Sequence, residues 1–210
     1  MNIIRFKNDE ARSNYVKTHL QDSFAKKGNI TLALSGGSTP VPFFQYMASH
    51  NLTSAERNLK VLWLDERIVP LDDERNNATV AIDLWLSKED NTSIHRIDTG
   101  GSPEKSAKEY NKLVESSSID EIVLGMGMDG HIASIFPNKD DIHSKKCFHV
   151  FNENDGTWRV SMSLSQILRS ENIFLLVSGE AKLNVLEDVE SSLPVHQLLS
   201  HANLKVLYCD

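Results

Sequence analysis

Apolar runs punctuate the chain at 3–6, 30–34, 61–64, 119–124, 173–177 and 204–208. Val, Ile and Leu dominate them with little polar alternation, as expected of strands covered on both faces. Between them lie stretches of helical length and amphipathic spacing at 9–26, 40–49, 75–86, 103–116 and 180–189. Strands alternating with helices predict an α/β fold, a mainly parallel doubly wound sheet with helices on both faces. Residues 138–163 break this rhythm and are richer in His, Asn and Asp. They are expected to form an excursion with short antiparallel strands near 147–151 and 158–162. No repeat or linker interrupts the chain, so a single domain over 1–210 is expected.

In open α/β sheets, ligands collect where strands end. Four strand ends carry polar, glycine- or charge-bearing sequence: SGGSTP after Leu34, DERIVP after Leu64, GMGMDGH after Leu124 and SGEAK after Val177. Their convergence on one edge would make a site. In the first, Gly36 and Gly37 let backbone approach a ligand, and Ser38 or Thr39 could cap the next helix or donate to a phosphate. An ordinary capped turn explains the same residues, and the lysine of a P-loop is missing. In the second, Asp65, Glu66 and Arg67 are costly beside a buried strand end unless they bind one another or a ligand. Arg67 could grip a phosphate or polarise a carbonyl while Asp65 orients a neighbour. A solvated ion pair is the plain alternative. The second DER, 73–75, reads as charge at a helix N-terminus.

The third loop matches G-x-G-x-x-G through Gly125, Gly127 and Gly130. A dinucleotide loop belongs to the first βαβ unit with an acid about 20 residues on, at the end of the next strand. Here the match falls past the midpoint of the chain, and Glu153, near the right distance, sits in a polar, Asn-rich stretch. The glycines read better as a turn that presents Asp129 and His131. Histidine exchanges protons near neutrality and a carboxylate can fix its tautomer, although a lone histidine after a strand is often only a packing residue. In the fourth loop, Lys182 sits at a helix start, where the macrodipole disfavours a cation. A bound anion would remove that conflict; a surface lysine would not need one. His143, Cys147 and His149 lack a fourth ligand and read as structural or surface residues. The three tryptophans read as core or rim packing.

Composition narrows the partners. The 210 residues carry a net charge of −7, and no basic run exceeds two lysines. That argues against nucleic acid and anionic membranes but not against a small anion held by local groups. Two cysteines are too few for a disulfide framework or zinc cluster. No stretch approaches ~18 apolar residues and the first residues lack a signal-peptide core. A soluble, cytoplasmic protein is expected, monomeric or weakly dimeric.

Taken in order, LSGGSTP (34–40), DERIVP (65–70) with Asn76-Asn77, LGMGMDGHIASIFP (124–137), RVSMSL (159–164) and LLVSGEAK (175–182) resemble the 6-phosphogluconolactonase family. That family belongs to a superfamily with glucosamine-6-phosphate deaminases and ribose-5-phosphate isomerase-like folds. Arg67, where deaminases tend to have Tyr, and the HIASIFP continuation favour the lactonases. Asn76 departs from their usual Ser and Val80 from a common Met. The resemblance implies hydrolysis of a phosphorylated sugar lactone without metal or organic cofactor. His131 would be the general base and Asp129 its partner. Backbone N–H groups of Gly127 and Gly130 would receive the oxyanion. Gly36, Gly37, Ser38, Thr39, Asp65, Arg67 and Lys182 would bind the sugar phosphate. A deaminase or isomerase on the same fold, a non-catalytic sugar-phosphate sensor and a dinucleotide oxidoreductase are the competing readings.

Overall fold

The computed structural model describes residues 3–54, 56–137, 146–188 and 192–210. Strand β1 (Ile3–Phe6) leads into helix α1 (Asp9–Lys27). The Asn8 side chain accepts the Ala11 N–H to start that helix, and Gly28, at φ +72°, ends it. The chain continues through β2 (Asn29–Leu34), α2 (Val41–Met47), β3 (Asn58–Trp63), β4 (Asp65–Arg67), α3 (Asn77–Leu84), β5 (Thr92–Ile94) and α4 (Pro103–Glu115). Then follow β6 (Glu121–Leu124), β7 (Cys147–Asn152), β8 (Thr157–Met162), α5 (Leu164–Ile167), β9 (Asn172–Ser178), α6 (Glu180–Glu187), α7 (Pro194–Gln197) and β10 (Leu204–Cys209).

Seven strands form one sheet in the order β1-β10-β9-β6-β2-β3-β5, every pairing parallel. The remaining three form an antiparallel sheet, β4-β8-β7. Every residue of β6, and Ile173 through Val177 in β9, is buried. Consecutive burial requires cover on both faces, which is the layered, mainly parallel arrangement the apolar runs predict. From β2 the chain builds outward to β3 and β5, and from β6 it builds the opposite way to β9 and β10. The reversal lies between β2 and β6, where such sheets open a crevice at their carboxyl edge. Trp63 and Trp85 are fully buried, Trp85 edge-on to Phe43 at 5.5 Å. Trp158 instead lies exposed beside Phe151.

Several boundaries differ from the sequence reading, for local reasons. Helix α2 begins at Val41, with Pro40 at its N-cap and no side-chain cap, so neither Ser38 nor Thr39 caps it. Helix α3 begins at Asn77 because the Asn76 side chain accepts the Thr79 N–H. Asp73 and Arg75 therefore stand before the helix, paired to each other at 2.6 Å, and are not its first turn. The DER segment at 65–67 is a strand of the second sheet, where a loop was expected. The short elements β5, α5 and α7 were not anticipated. The stretch 138–145, with His143, and Val189 lie outside the described residues. Cys147 is buried and His149 exposed, as structural and surface roles require. Among the described residues, no helix is long and apolar enough to cross a membrane.

Candidate active site

Strands β9, β6, β2 and β3 are neighbours, so their four loops meet at one edge. They enclose a polar cavity of about 150 Å³ at the reversal point. Gly36, Gly37, Ser38, Thr39, Asp65, Arg67, Gly127, His131 and Lys182 all line it. Asp129 and Gly130 are not on its wall; they shape the turn that carries His131.

That turn is closed by its own backbone. The Gly130 N–H donates to Gly127 O at 3.1 Å, and the Gly127 N–H donates to His131 O at 2.9 Å. Gly130 holds φ +76°, a left-handed conformation that glycine adopts freely. A methyl group on Gly127 would lie 2.2 Å from the His131 ring and 2.6 Å from Asp129 Oδ1. The glycine thus leaves room for the His–Asp pair to fold over it. Both amides are already committed, so Gly127 and Gly130 do not supply the free oxyanion donors expected from the sequence.

Asp129 Oδ1 accepts the His131 backbone N–H at 3.2 Å and sits 2.5 Å from His131 Nδ1. An ionised carboxylate only accepts hydrogen bonds, so Nδ1 carries a proton, and a neutral ring then holds its lone pair on Nε2. Nε2 has no protein partner among the described residues. Partial burial works against the Asp129 charge, but the adjacent His131 ring and the hydrogen bonds outweigh it and hold the carboxyl below its usual range. Such a pair can remove a proton from water.

The β2 turn supplies anion donors. The N–H groups of Gly36, Gly37, Ser38 and Thr39 have no hydrogen-bond partner among the described residues. Gly36 abuts Asn77 so closely that a Cβ would stand 1.7 Å from Asn77 Oδ1. Thr39 Oγ1 accepts from Lys182 Nζ at 3.1 Å, which aims the ammonium at the same turn. Burial lowers the Lys182 pKa, and the charge of Arg12 lowers it further. Arg12, on α1, is itself buried, donating to Val177 O at 3.0 Å and Ser178 Oγ at 2.9 Å. An anion at Lys182 would offset this mutual repulsion.

The acids and guanidinium of DER do not bind one another. Asp65 Oδ2 accepts the Ser134 hydroxyl at 2.7 Å. Ser134 is brought there by a tight turn in which Ala133 takes φ +48°, the one positive φ of a non-glycine among the described residues. Arg67 Nη1 donates to Arg75 O at 2.6 Å. Glu66 accepts three backbone N–H groups, from Arg67, Asn77 and Ala78, at 2.7–2.8 Å. It thereby ties the strand end to the start of α3 and fixes Asn77 on the cavity wall. Burial nonetheless raises the Glu66 pKa from 4.5 to about 7 against those hydrogen bonds. The folded state keeps this proton to near pH 7, whereas the unfolded chain releases it near 4.5. The Glu66 contribution to stability is therefore full below pH 4.5 and lost as pH rises towards 7. Unfolding between pH 5 and 8 is expected to show wild type losing up to ~3 kcal/mol relative to Glu66→Gln, a figure that scales with the pKa shift. Parallel profiles would refute this titration.

Sequence reasoning assigned no individual site role to Glu66, Asn77, Ser134 or Arg159. Arg159 lines the cavity from β8 although it is buried. A charge within the apolar pattern of TWRVSM, at the start of the quoted RVSMSL motif, was its sequence signal.

A histidine–carboxylate pair and the cationic side chains of Arg67, Arg159 and Lys182 thus surround one polar crevice. Residues 9–206 match the family described as glucosamine-6-phosphate isomerases/6-phosphogluconolactonase. The 6-phosphogluconolactonase of Synechocystis sp. is 32% identical over 186 residues, 83% of this chain and 77% of that protein. A 6-phosphogluconolactonase structure from Thermotoga maritima superposes with TM-score 0.84 at 24% identity, covering 99% of this chain and 98% of that one. A monomeric glucosamine-6-phosphate deaminase superposes with TM-score 0.83 at 22% identity, covering 100% and 97%. The chain belongs to the glucosamine-6-phosphate isomerase/6-phosphogluconolactonase family.

Proposed function

We propose that this protein hydrolyses 6-phospho-D-glucono-1,5-lactone to 6-phosphogluconate, the lactonase step of the oxidative pentose phosphate pathway. The observation that carries the reading is the His131–Asp129 pair, with His131 on the wall of a cation-lined cavity. Kinship to proteins named as lactonases supports it.

In this reading His131 Nε2 takes a proton from water as its oxygen attacks the lactone carbonyl carbon. Asp129 stabilises the imidazolium that forms. The tetrahedral intermediate collapses with cleavage of the bond between C1 and the ring oxygen, and the imidazolium returns its proton to that oxygen. The new carboxylic acid then ionises, so each turnover releases one proton. The phosphate is held by the Gly36–Thr39 turn and Lys182, as charge-assisted hydrogen bonds to free N–H groups would do. No protein nucleophile is needed, because an activated ester is within reach of a general base alone.

The test is proton release or product formation from freshly generated lactone, corrected for spontaneous hydrolysis, beside ammonia release from glucosamine 6-phosphate. Rapid lactone turnover with no ammonia is expected. The reverse pattern would assign the deaminase reaction of the structural neighbour instead.

A further inference from the structure

Arg67 and Arg159 are Cα partners in the antiparallel pairing of β4 with β8. Like charges directly opposite across two strands are unfavourable unless something between them compensates. Both nevertheless line the cavity. The compensation within the protein is incomplete. Arg159 Nε donates to Thr157 Oγ1 at 3.1 Å and Nη2 pairs with Asp155, but Nη1 comes no closer than 3.9 Å to Asp65 Oδ2. Asp65 Oδ2 already accepts from Ser134. Arg67 Nη1 is spent on Arg75 O, while Arg67 Nε is buried without a partner. Two cavity-lining guanidinium groups thus keep donors that the protein leaves unspent. A buried orphan donor costs free energy.

The second consideration is position. Lys182 follows β9, whereas Arg67 follows β3, and β6 and β2 lie between those strands. Three strand spacings, about 14 Å, separate those two strands. The charges group accordingly: Arg12 acts on Lys182, and Arg67 on Arg159. The cavity therefore has two cationic poles, with His131 on the strand end between them. A 6-phosphorylated aldonate is likewise anionic at both ends, its phosphate on C6 and its carboxylate on C1.

Resting on the proposed lactonase reading, we infer that Arg159 together with Arg67 binds the C1 oxygens. The pair takes the charge developing on the carbonyl oxygen and then the product carboxylate, while Lys182 and the β2 turn hold the phosphate. This supplies the donors that the Gly127 and Gly130 amides, already engaged, do not. Bidentate guanidinium–carboxylate geometry also explains why arginine rather than lysine faces this pole.

Two probes of equal length separate the poles: 6-phosphogluconate, and glucitol 6-phosphate, which carries CH2OH in place of the carboxylate. Calorimetry or inhibition with each, on wild type, Arg159→Gln and Arg67→Gln, reads the inference. Wild type is expected to prefer 6-phosphogluconate. Each variant is expected to lose about tenfold in affinity for it, with glucitol 6-phosphate changed less than about threefold. Arg67→Gln guards against a folding defect in Arg159→Gln, because the Arg67 side chain is tied to the protein through one carbonyl among the described residues. If both variants keep the wild-type preference, or weaken both probes alike, the inference is wrong and the lactonase reading stands. If wild type binds neither probe, the sugar-phosphate reading fails and takes the inference with it.

Discussion

Replacing His131 with alanine is expected to lower kcat on the lactone by about 10²–10⁴-fold, the usual contribution of a positioned general base. Affinity for 6-phosphogluconate should stay within about threefold, because the anion grips come from other strand ends and uniform binding does not depend on the base. The expectation rests on His131 being the one member of the His–Asp pair that lines the cavity. Asp129 is not on the cavity wall and accepts hydrogen bonds from the His131 backbone N–H and Nδ1–H. Steady-state kinetics with product-binding calorimetry checks both halves. A near-normal kcat would remove His131 from the mechanism, whereas lost binding with unchanged kcat would make it a ligand contact.

The second large effect is expected at Gly127, which touches no substrate in the proposed mechanism through a side chain of its own. Gly127→Ala places a methyl group 2.2 Å from the His131 ring, which no rotamer of a methyl group can relieve. The ring and Asp129 must move, and displacement of a catalytic group by about 1 Å can cost on the order of 100-fold in rate. Global stability should fall far less, because the turn lies at the sheet edge and outside the core. The check is kcat measured beside thermal unfolding. An alanine variant with full activity would show that the glycine is dispensable, and a variant that unfolds would show that the turn supports the fold.

The apolar runs made the parallel sheet legible because each central strand is buried on both faces, and burial on both faces leaves no polar residue to blur the signal. The loops after β2, β3, β6 and β9 were legible for the same reason: each begins where an apolar run stops. Strand β4 was not, since three charged residues carry no alternation, and its identity as a strand comes from pairing with β8. Arg159 was hidden by the same pairing. Its place in the cavity depends on register with Arg67, a relation between distant segments that no local pattern encodes. The His131–Asp129 partnership could be read locally, being two residues apart. The commitment of the Gly127 and Gly130 amides could not, because it depends on how the turn closes. Ser38 and Thr39 looked like caps by composition, but Pro40 takes the cap position and leaves the Thr39 hydroxyl to Lys182.

The order of strands across the sheet has an evolutionary consequence. In the proposed mechanism the phosphate grip lies after β2 and β9, the proton-transfer pair after β6 and the guanidinium pole on β4 and β8, and the scaffold between them is apolar. A substitution in one loop can therefore redirect the reaction at C1 without dismantling the anchor at C6. Divergence within such a lineage would concentrate in the loops after β3 and β6, with the loop after β2 and the start of α6 inherited nearly intact. A scaffold shared at TM-score 0.83 with a protein named as a deaminase is what that modularity would leave behind.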